Sequence, residues 1–158
     1  MLDAMLREFY DIGKSLMLEK DPLKLFEKIL QSSMRLTYAD AGTIYLVLDK
    51  KTGEWSYVKN HSSRGKLLKF VIARNTSVNV KLQESVSPIS ASSIFGYTII
   101  SGNSLRIDDA YQIGDAVAYR HNSRFDAATG YVTRSMLSIP MKNHDNHVMG
   151  VIQLINKK

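Results

Sequence analysis

The chain of 158 residues is long enough for one domain with a closed hydrophobic core, and its composition, 44% hydrophobic and 23% charged, is ordinary for a globular protein. Without cysteine it has no disulfide framework, thiolate metal site or thiol nucleophile, and a reducing, cytoplasmic location is expected. No apolar run has the length of a membrane span, and charged residues from Asp3 onward argue against a signal peptide.

The formal net charge of +6 comes from one stretch of the chain. Residues 50–81 carry eight basic side chains against the single acid Glu54, which gives +7 there and leaves −1 for the rest. This basic zone suits an anionic ligand, an acidic partner, or a nucleic acid that stacks on Trp55, Tyr57 and Phe70. A solvated surface in which lysine protects a strand edge is the alternative we favour. The basic residues are Lys50, Lys51, Lys59, Arg64, Lys66, Lys69, Arg74 and Lys81.

Two amphipathic helices open the chain. Residues 4–19 carry apolar side chains at three- and four-residue steps. Asp21 and Pro22 then predict a second helix, as its N-cap and first residue, that ends near Tyr38. The apolar faces consist of Met5, Phe9, Ile12 and Leu16 in the first helix and of Leu23, Phe26, Ile29, Leu30 and Met34 in the second.

Residues 41–49 alternate as in a strand whose two faces are both covered. One row is expected to meet the helices, and the other to line the opposite face: Ile44, Leu46 and Leu48 against Thr43, Tyr45 and Val47. After a turn at 50–53, the stretch from Trp55 to Lys59 predicts an antiparallel partner, and residues 67–74 predict a further strand. Residues 75–93, rich in Ser and Asn, are typical of a loop.

A short helix is predicted over residues 94–101, capped by Ser92 or Ser93 and ended by Gly102. A strand over 105–107 and a polar, turn-rich lid over 108–124 follow it, and Asp108 with Asp109 indicates a helix start. Residues 126–130 are also predicted as a turn-rich segment.

Two strands joined by a hairpin turn at 143–146 end the pattern. In the first, Leu137, Ile139 and Met141 share one face. The second, 148–155, is apolar on both faces except at Gln153, which predicts a central strand. A lone amide there needs a partner, because an unpaired buried amide costs about 1–3 kcal/mol. The element order predicts an α+β fold with helices on one face of an antiparallel sheet and loops over the other.

Motifs of catalysis and metal binding are weak. His144 and His147 fall in the hairpin turn and are better explained as surface residues than as metal ligands. Neither a nucleophile elbow nor a P-loop nor a dinucleotide fingerprint is present. The sequence therefore predicts neither an enzyme nor a required cofactor.

One enclosed polar cluster is predicted on the face opposite the helices. Thr43 and Gln153 form its floor, Ile94 and Phe95 its wall, and residues 126–133 its roof. Backbone N–H groups at the start of the 94–101 helix suit a phosphate, and the aromatic and polar side chains suit a nucleobase.

Several segments, FDAATGYVTRSML, IPM and VMGVIQLINK, with AGTIYLVLD and SSIFGYTIISGNSLRIDDAY upstream, resemble a GAF domain. That family comprises regulatory modules of signalling enzymes, among them cyclic-nucleotide phosphodiesterases and adenylyl cyclases. The resemblance implies a GAF-like (PAS/profilin-like) fold. It also implies a pocket for a small molecule, most readily a cyclic nucleotide, lined by Thr43, Ile94, Phe95, Asp126, Thr129, Thr133 and Gln153. Gln153, where relatives have an acid, and Asn122, where some have an aromatic residue, leave the base open.

The resemblance further implies N-terminal helices over 1–38, the first of which forms a homodimer, and a GAF core over 39–158 that lacks the family's closing helix. We expect the chain to be a fragment of a bacterial signal-transduction protein whose output domain is an HD-type phosphodiesterase or a nucleotide cyclase. One alternative is a ligand-free dimerisation scaffold, with the pocket filled by Tyr45, Met149 and Val151. The other is nucleic-acid binding through the basic zone.

Overall fold

The computed structural model describes residues 1–79 and 85–158, so Lys81 of the basic zone lies outside the described residues. Within these ranges no helix combines the length and the apolar composition that crossing a membrane needs. The helices are α1 (Leu2–Leu18), α2 (Pro22–Thr37), α3 (Ile94–Ser101) and α4 (Arg124–Thr129). The strands are β1 (Ala39–Asp49), β2 (Lys66–Asn75), β3 (Val86–Pro88), β4 (Leu105–Ile107), β5 (Met136–Lys142) and β6 (Val148–Lys157).

The strands form one six-stranded sheet in the order β3-β2-β1-β6-β5-β4. All neighbouring pairs are antiparallel, which confirms the predicted sheet and the central position of β6. The register places Thr43 of β1 beside Gln153 of β6, and Gln153 beside Ser138 of β5. One row of polar side chains therefore crosses the middle of the sheet.

Helix α2 covers one face of the sheet. The side-chain carboxylate of Asp21 accepts hydrogen bonds from the backbone N–H groups of Leu23 and Lys24, which confirms the predicted N-cap. Gly42 in β1 lets the helix approach closely, because a Cβ there would lie 2.7 Å from Leu30 Cδ1. Leu23 was predicted on the apolar face but is 68% exposed, one turn before the core contact begins. The core on this side consists of Leu30, Met34, Ile44, Leu46, Ile152 and Leu154.

Helix α1 contributes no buried residue. It is joined to α2 by an ion pair between Glu8 and Arg35, with nitrogen and oxygen 2.9 Å apart. Ile12 and Leu16 are half-buried, whereas Met5 and Phe9 are 48% and 51% exposed. The first half of the predicted apolar stripe is therefore uncovered in a single chain.

Three local predictions are wrong. Trp55–Lys59 is not the antiparallel partner of β1, because β2 takes that position and Trp55 keeps only an isolated bridge to Leu48. Residues 126–130 are not a free turn, since the helix α4 reaches Thr129 and ends at Gly130. No helix starts at Asp108 and Asp109, where the backbone makes a bend and a turn.

Candidate functional site

A cavity of about 330 Å³ lies on the sheet face opposite α2. Strands β1, β2 and β6 form its floor, the first turn of α3 its wall, and residues 120–133 its roof. The side chains are mainly apolar and aromatic, with a few polar groups, which is typical of small-molecule sites. The lining residues are Ala41, Gly42, Thr43, Tyr45, Ala73, Arg74, Asn75, Ser93, Ile94, Phe95, Arg120, His121, Asn122, Arg124, Phe125, Asp126, Tyr131, Thr133, Met136, Gln153 and Ile155.

Six of the seven predicted site residues line this cavity, and only Thr129 does not. Thr129 is exposed because it belongs to the last turn of α4, where its Oγ1 donates to the carbonyl oxygen of Phe125 at 2.9 Å. The same oxygen accepts a hydrogen bond from the backbone N–H of Tyr131. Thr129 thus shapes the roof from outside, and ligand contact by the other six residues stays a prediction.

The floor carries the polar row of the sheet. Thr43 is 9% exposed and Gln153 6% exposed, so both side chains are more than nine-tenths buried. The Nε2 atom of Gln153 lies 3.5 Å from Ser138 Oγ, whereas the Oε1 atom of Gln153 and the Oγ1 atom of Thr43 make no hydrogen bond with residues 1–79 and 85–158. The predicted partner of the buried amide is therefore a serine that sequence reasoning did not identify.

The wall is the first turn of α3. Ser93 Oγ accepts from the backbone N–H of Gly96 at 3.1 Å, which confirms the predicted cap. The Phe95 ring stacks on Tyr45, with centroids 5.1 Å apart and an angle of 21° between planes. A β-bridge between Ser93 and Arg120 ties the wall to the roof. These contacts make one side of the cavity flat and aromatic.

Gly96 allows the loop before α3 to fold over the helix. A Cβ at this position would collide with the carbonyl oxygen of Ser90 and lie 2.7 Å from Ser93 Oγ. We expect Gly96→Ala to lower the free energy of unfolding by about 1–3 kcal/mol, as for other overpacked sites, in urea titrations. Gly114→Ala is the control, since a Cβ there meets nothing within 4 Å. Equal stability of the two variants would contradict the tight packing of the wall.

The roof is held by Asp126. Its carboxylate accepts from the hydroxyl of Tyr111 at 2.7 Å and from the backbone N–H and hydroxyl of Thr133, both at 2.8 Å, and lies 3.3 Å from His121 Nε2. Burial alone raises the pKa of Asp126, but the hydrogen bonds from Tyr111, Thr133 and His121 outweigh it and hold that pKa below its usual range. Asp126 stays ionised and ties Tyr111 and His121 of the lid to Thr133, three residues before β5.

A second buried carboxylate, Asp40 at the start of β1, was not predicted. It accepts hydrogen bonds from the hydroxyls of Thr76, Ser77 and Tyr131, and the Lys158 ammonium lies 2.9 Å from it. Burial alone raises the pKa of Asp40, but these donors outweigh it and hold that pKa well below its usual range. Burial and the neighbouring Asp40 in turn raise the pKa of Tyr131. Tyr131 thereby connects the cavity roof to this carboxylate.

The basic zone does not form a stacking platform. Phe70, named as one of three stacking aromatics, is only 8% exposed and meets Tyr45 edge-on, with ring centroids 5.7 Å apart. Lys66 pairs with Asp49 at 3.3 Å, and the Lys69 ammonium lies 5.8 Å from the centre of the exposed Trp55 ring. Only Trp55 and Tyr57 of the three aromatics present surface to solvent.

Side chains fill only part of the space beneath α3. Val151 is fully buried with Val47 and Ile99, but Met149 is 38% exposed and lies outside the cavity. Tyr45 borders the cavity without closing it. The filling expected of a ligand-free scaffold is therefore incomplete at the start of α3.

The histidines of the hairpin turn are occupied by other contacts. His147 stacks on Tyr57 with centroids 4.7 Å apart, and His144 lies 3.3 Å from Asp145 at the surface. Within the described ranges, no group of three or more His, Cys, Asp or Glu side chains has a metal-binding arrangement.

Comparison with known proteins gives concordant results. The family model described as GAF domain matches residues 21–158. Dual 3′,5′-cyclic-AMP and -GMP phosphodiesterase 11 of Drosophila melanogaster is 32% identical over 148 residues, which cover 94% of this chain and 10% of that protein. The cGMP-specific 3′,5′-cyclic phosphodiesterase of Drosophila sechellia is 30% identical over 150 residues, covering 94% and 12%. The chain thus spans only a small part of these curated relatives.

Solved structures share the fold. The GAF domain of a phosphoenolpyruvate-protein phosphotransferase from Coxiella burnetii aligns with a TM-score of 0.67 at 14% identity, covering 98% of this chain and 78% of that one. The corresponding domain from Acinetobacter aligns with a TM-score of 0.66, also at 14% identity, covering 97% and 77%. Family model, relatives and fold agree: the chain belongs to the GAF domain family and is a regulatory rather than a catalytic module.

Proposed function

We propose that the cavity binds a cyclic nucleotide and that binding controls an output domain outside this chain, such as an HD-type phosphodiesterase or a nucleotide cyclase of a bacterial signalling protein in the cytoplasm. One observation carries the proposal. An open cavity of about 330 Å³ sits over two floor side chains, Thr43 and Gln153, whose Oγ1 and Oε1 atoms make no hydrogen bond with residues 1–79 and 85–158. A ligand with a polar edge can supply a partner for each of these two atoms.

The shape of the cavity suits a nucleobase. A base has two flat faces and one polar edge, and the cavity offers aromatic surface from Phe95 and Tyr45 beside the polar floor. The phosphate would lie toward the start of α3, where the helix dipole favours a negative charge. Arg124 of the roof lines the same space, and its guanidinium adds positive potential. The two fly relatives are, by their names, phosphodiesterases of cyclic nucleotides, which supports this ligand class.

We propose that the lid and the roof transmit the signal. Together they span residues 108–133, which are held by Asp126 and, through Tyr131, by Asp40 at the start of β1. A ligand that touches both floor and roof stabilises the closed arrangement relative to an open one, and this difference in affinity shifts the population. Asp40 directly follows the segment that joins α2 to the sheet, so closure can reorient the N-terminal helices.

Calorimetry tests the ligand. Protein freed of any bound molecule is expected to bind cyclic AMP or cyclic GMP with micromolar or tighter affinity. Gln153→Leu should weaken that binding by at least about 1 kcal/mol, the value of a buried hydrogen bond. Gln31→Leu is the matched control, because Gln31 is exposed on α2 and lies outside the cavity. Equal loss in both variants would point to an indirect effect on the fold.

We also propose a homodimer through α1. Met5, Phe9 and their neighbours form an exposed apolar stripe along this helix, and surfaces of that kind commonly mark protein contacts. We expect Phe9→Glu to turn a dimer into a monomer in light scattering while leaving the fold intact, as shown by an unchanged far-ultraviolet circular dichroism spectrum. Lys14→Gln, on the exposed part of the same helix, lowers the net charge by the same one unit and is the control. A monomeric wild-type protein at high concentration would contradict this interface.

A further inference from the structure

Three buried side chains form a hydrogen-bonded line from α3 to the cavity floor. Thr98 Oγ1 lies 2.9 Å from the carbonyl oxygen of Ile94 and 2.8 Å from Ser138 Oγ. Ser138 Oγ is in turn 3.5 Å from Gln153 Nε2. Thr98 and Ser138 are fully buried, and Gln153 is 6% exposed. Solvent therefore does not compete for these contacts.

The chemistry of the groups determines which one donates in each hydrogen bond of this line. A carbonyl oxygen has no proton, so the Thr98 hydroxyl donates its single hydrogen to Ile94. The contact between Thr98 and Ser138 then needs the hydrogen of Ser138, which leaves Ser138 Oγ with lone pairs only. Its last partner has to be a donor, and the donor end of Gln153 is the NH₂ group. The carbonyl end of the amide consequently belongs to the cavity.

The opposite order of donors and acceptors along this line gives fewer hydrogen bonds. If Thr98 donated to Ser138, and Ser138 to the carbonyl end of Gln153, the Thr98 hydroxyl and the Ile94 carbonyl would face each other 2.9 Å apart without a hydrogen between them. That arrangement has one hydrogen bond fewer and places two electron-rich oxygens in contact. A rotated amide is therefore disfavoured in the folded protein.

We propose that Thr98 and Ser138 are positioning residues that fix the Gln153 amide, so that the cavity floor presents a hydrogen-bond acceptor and selects ligands with a donor at their buried end. The ligand part of this inference rests on the proposed function, whereas the amide orientation does not. Neither Thr98 nor Ser138 lines the cavity, so each acts only through Gln153.

Thr43 completes the pattern. It faces Gln153 across the β1–β6 pair and lines the cavity, and its Oγ1 makes no hydrogen bond with residues 1–79 and 85–158. A hydroxyl donates as well as accepts, so the floor offers an acceptor beside a group that donates. The edge of a purine base carries an N–H next to a ring nitrogen or a carbonyl oxygen. The N–H can donate to the Gln153 carbonyl, and the neighbouring nitrogen or oxygen can accept from the Thr43 hydroxyl. A base with acceptors only would leave the Gln153 carbonyl unpaired.

The amide orientation is tested without ligand, by nuclear magnetic resonance on ¹⁵N-labelled protein. The Gln153 NH₂ protons are expected to show cross-relaxation to Ser138 Hβ and slow exchange with water. Thr98→Ser keeps the hydroxyl and should retain this pattern. Thr98→Val and Ser138→Ala each remove a hydrogen bond of the line, and both signs of a fixed Gln153 amide should then be lost. The dispersion of backbone amide chemical shifts checks that wild type and the three variants are folded. NH₂ protons that contact the Thr43 methyl instead, or an unchanged Gln153 signal in Ser138→Ala, would overturn the proposal.

Selectivity is tested with matched nucleotides. Cyclic AMP is compared with its 6-deamino analogue, or cyclic GMP with its N1-methyl analogue, according to which of the two binds. Wild type and Thr98→Ser should prefer the donor-bearing form by about tenfold, the ratio that one buried hydrogen bond supports. In Ser138→Ala the preference should nearly vanish while affinity for the analogue is kept. If wild type bound both forms equally, the proposed selection of donor-bearing ligands would be overturned. If neither nucleotide bound, the proposed function would be refuted, and the nuclear magnetic resonance experiment alone would decide the amide orientation.

Discussion

Asp40→Ala is expected to lower the free energy of unfolding by about 3 kcal/mol. Hydrogen bonds to a charged group contribute about 1.5–3 kcal/mol each, but the exposed partners Thr76, Ser77 and Lys158 return to water when the carboxylate is removed. The buried hydroxyl of Tyr131 has no such replacement. Urea titration measures the change, with Asp145→Ala as the control because its carboxylate is 60% exposed. Similar stability of Asp40→Ala and the control would show that the network contributes little.

The same residue makes stability depend on pH. The folded pKa of Asp40 is held below its usual range, so between the folded and unfolded pKa values the unfolded state binds more protons. The contribution of Asp40 is therefore complete above the unfolded pKa of about 4 and is lost as the pH falls toward the folded value. Asp40→Asn is expected to show a shallower loss of stability below pH 4 than wild type does. If the free energy of unfolding of wild type and of Asp40→Asn fell in parallel below pH 4, the lowered pKa assigned to Asp40 would be contradicted.

Asp126→Ala is expected to release the roof. The backbone N–H and hydroxyl of the buried Thr133 lose their acceptor, and unpaired buried groups cost about 1–3 kcal/mol each. We expect a loss of about 2–4 kcal/mol in the free energy of unfolding and rapid proteolytic cleavage within residues 108–133. Nucleotide affinity should fall as well, since the cavity loses its cover.

Asp108→Ala is the matched control for the roof. Asp108 lies in the same segment, but its ion pair with Arg106 is 83–84% exposed on both sides and is expected to contribute less than about 1 kcal/mol. If both variants were cleaved at the same rate, the roof would be mobile irrespective of Asp126. The site would then lack the fixed cover that the proposed mechanism requires.

Elements with strong local signals were predictable. Asp21 with Pro22 starts α2, and Ser93 and Gly102 bound α3. Two-residue alternation locates β1 and β5, and a run that is apolar on both faces except at Gln153 locates β6. Each of these signals depends on side chains within a few residues of one another. Trp55–Lys59 failed because strand pairing is a long-range choice, in which β2 offers β1 a longer register than Trp55 and its neighbours do.

The site was predicted in outline but not in its contacts. The floor residues follow from strand alternation, since Thr43 and Gln153 interrupt apolar rows. Thr129 does not line the cavity, because the short α4 carries it to the outer surface. The Asp40 network joins residues 36 to 118 positions apart, and Ser138 lies 40 positions from Thr98. No local pattern connects residues at such separations.

Titration calorimetry on wild type and Ala73→Phe tests most directly whether the cavity is a ligand site. Ala73 lines the cavity beside Thr43 in the β1–β2 register, so a benzyl group there occupies the space of the base. Ala73→Ser, nearly equal in size to wild type, controls for the substitution. After removal of bound molecules, wild type and Ala73→Ser should bind cyclic AMP or cyclic GMP, whereas Ala73→Phe should bind neither. The melting temperature of Ala73→Phe checks that this variant is folded. Flat titrations of wild type with both nucleotides, or binding that survives the phenylalanine, would contradict the proposed site.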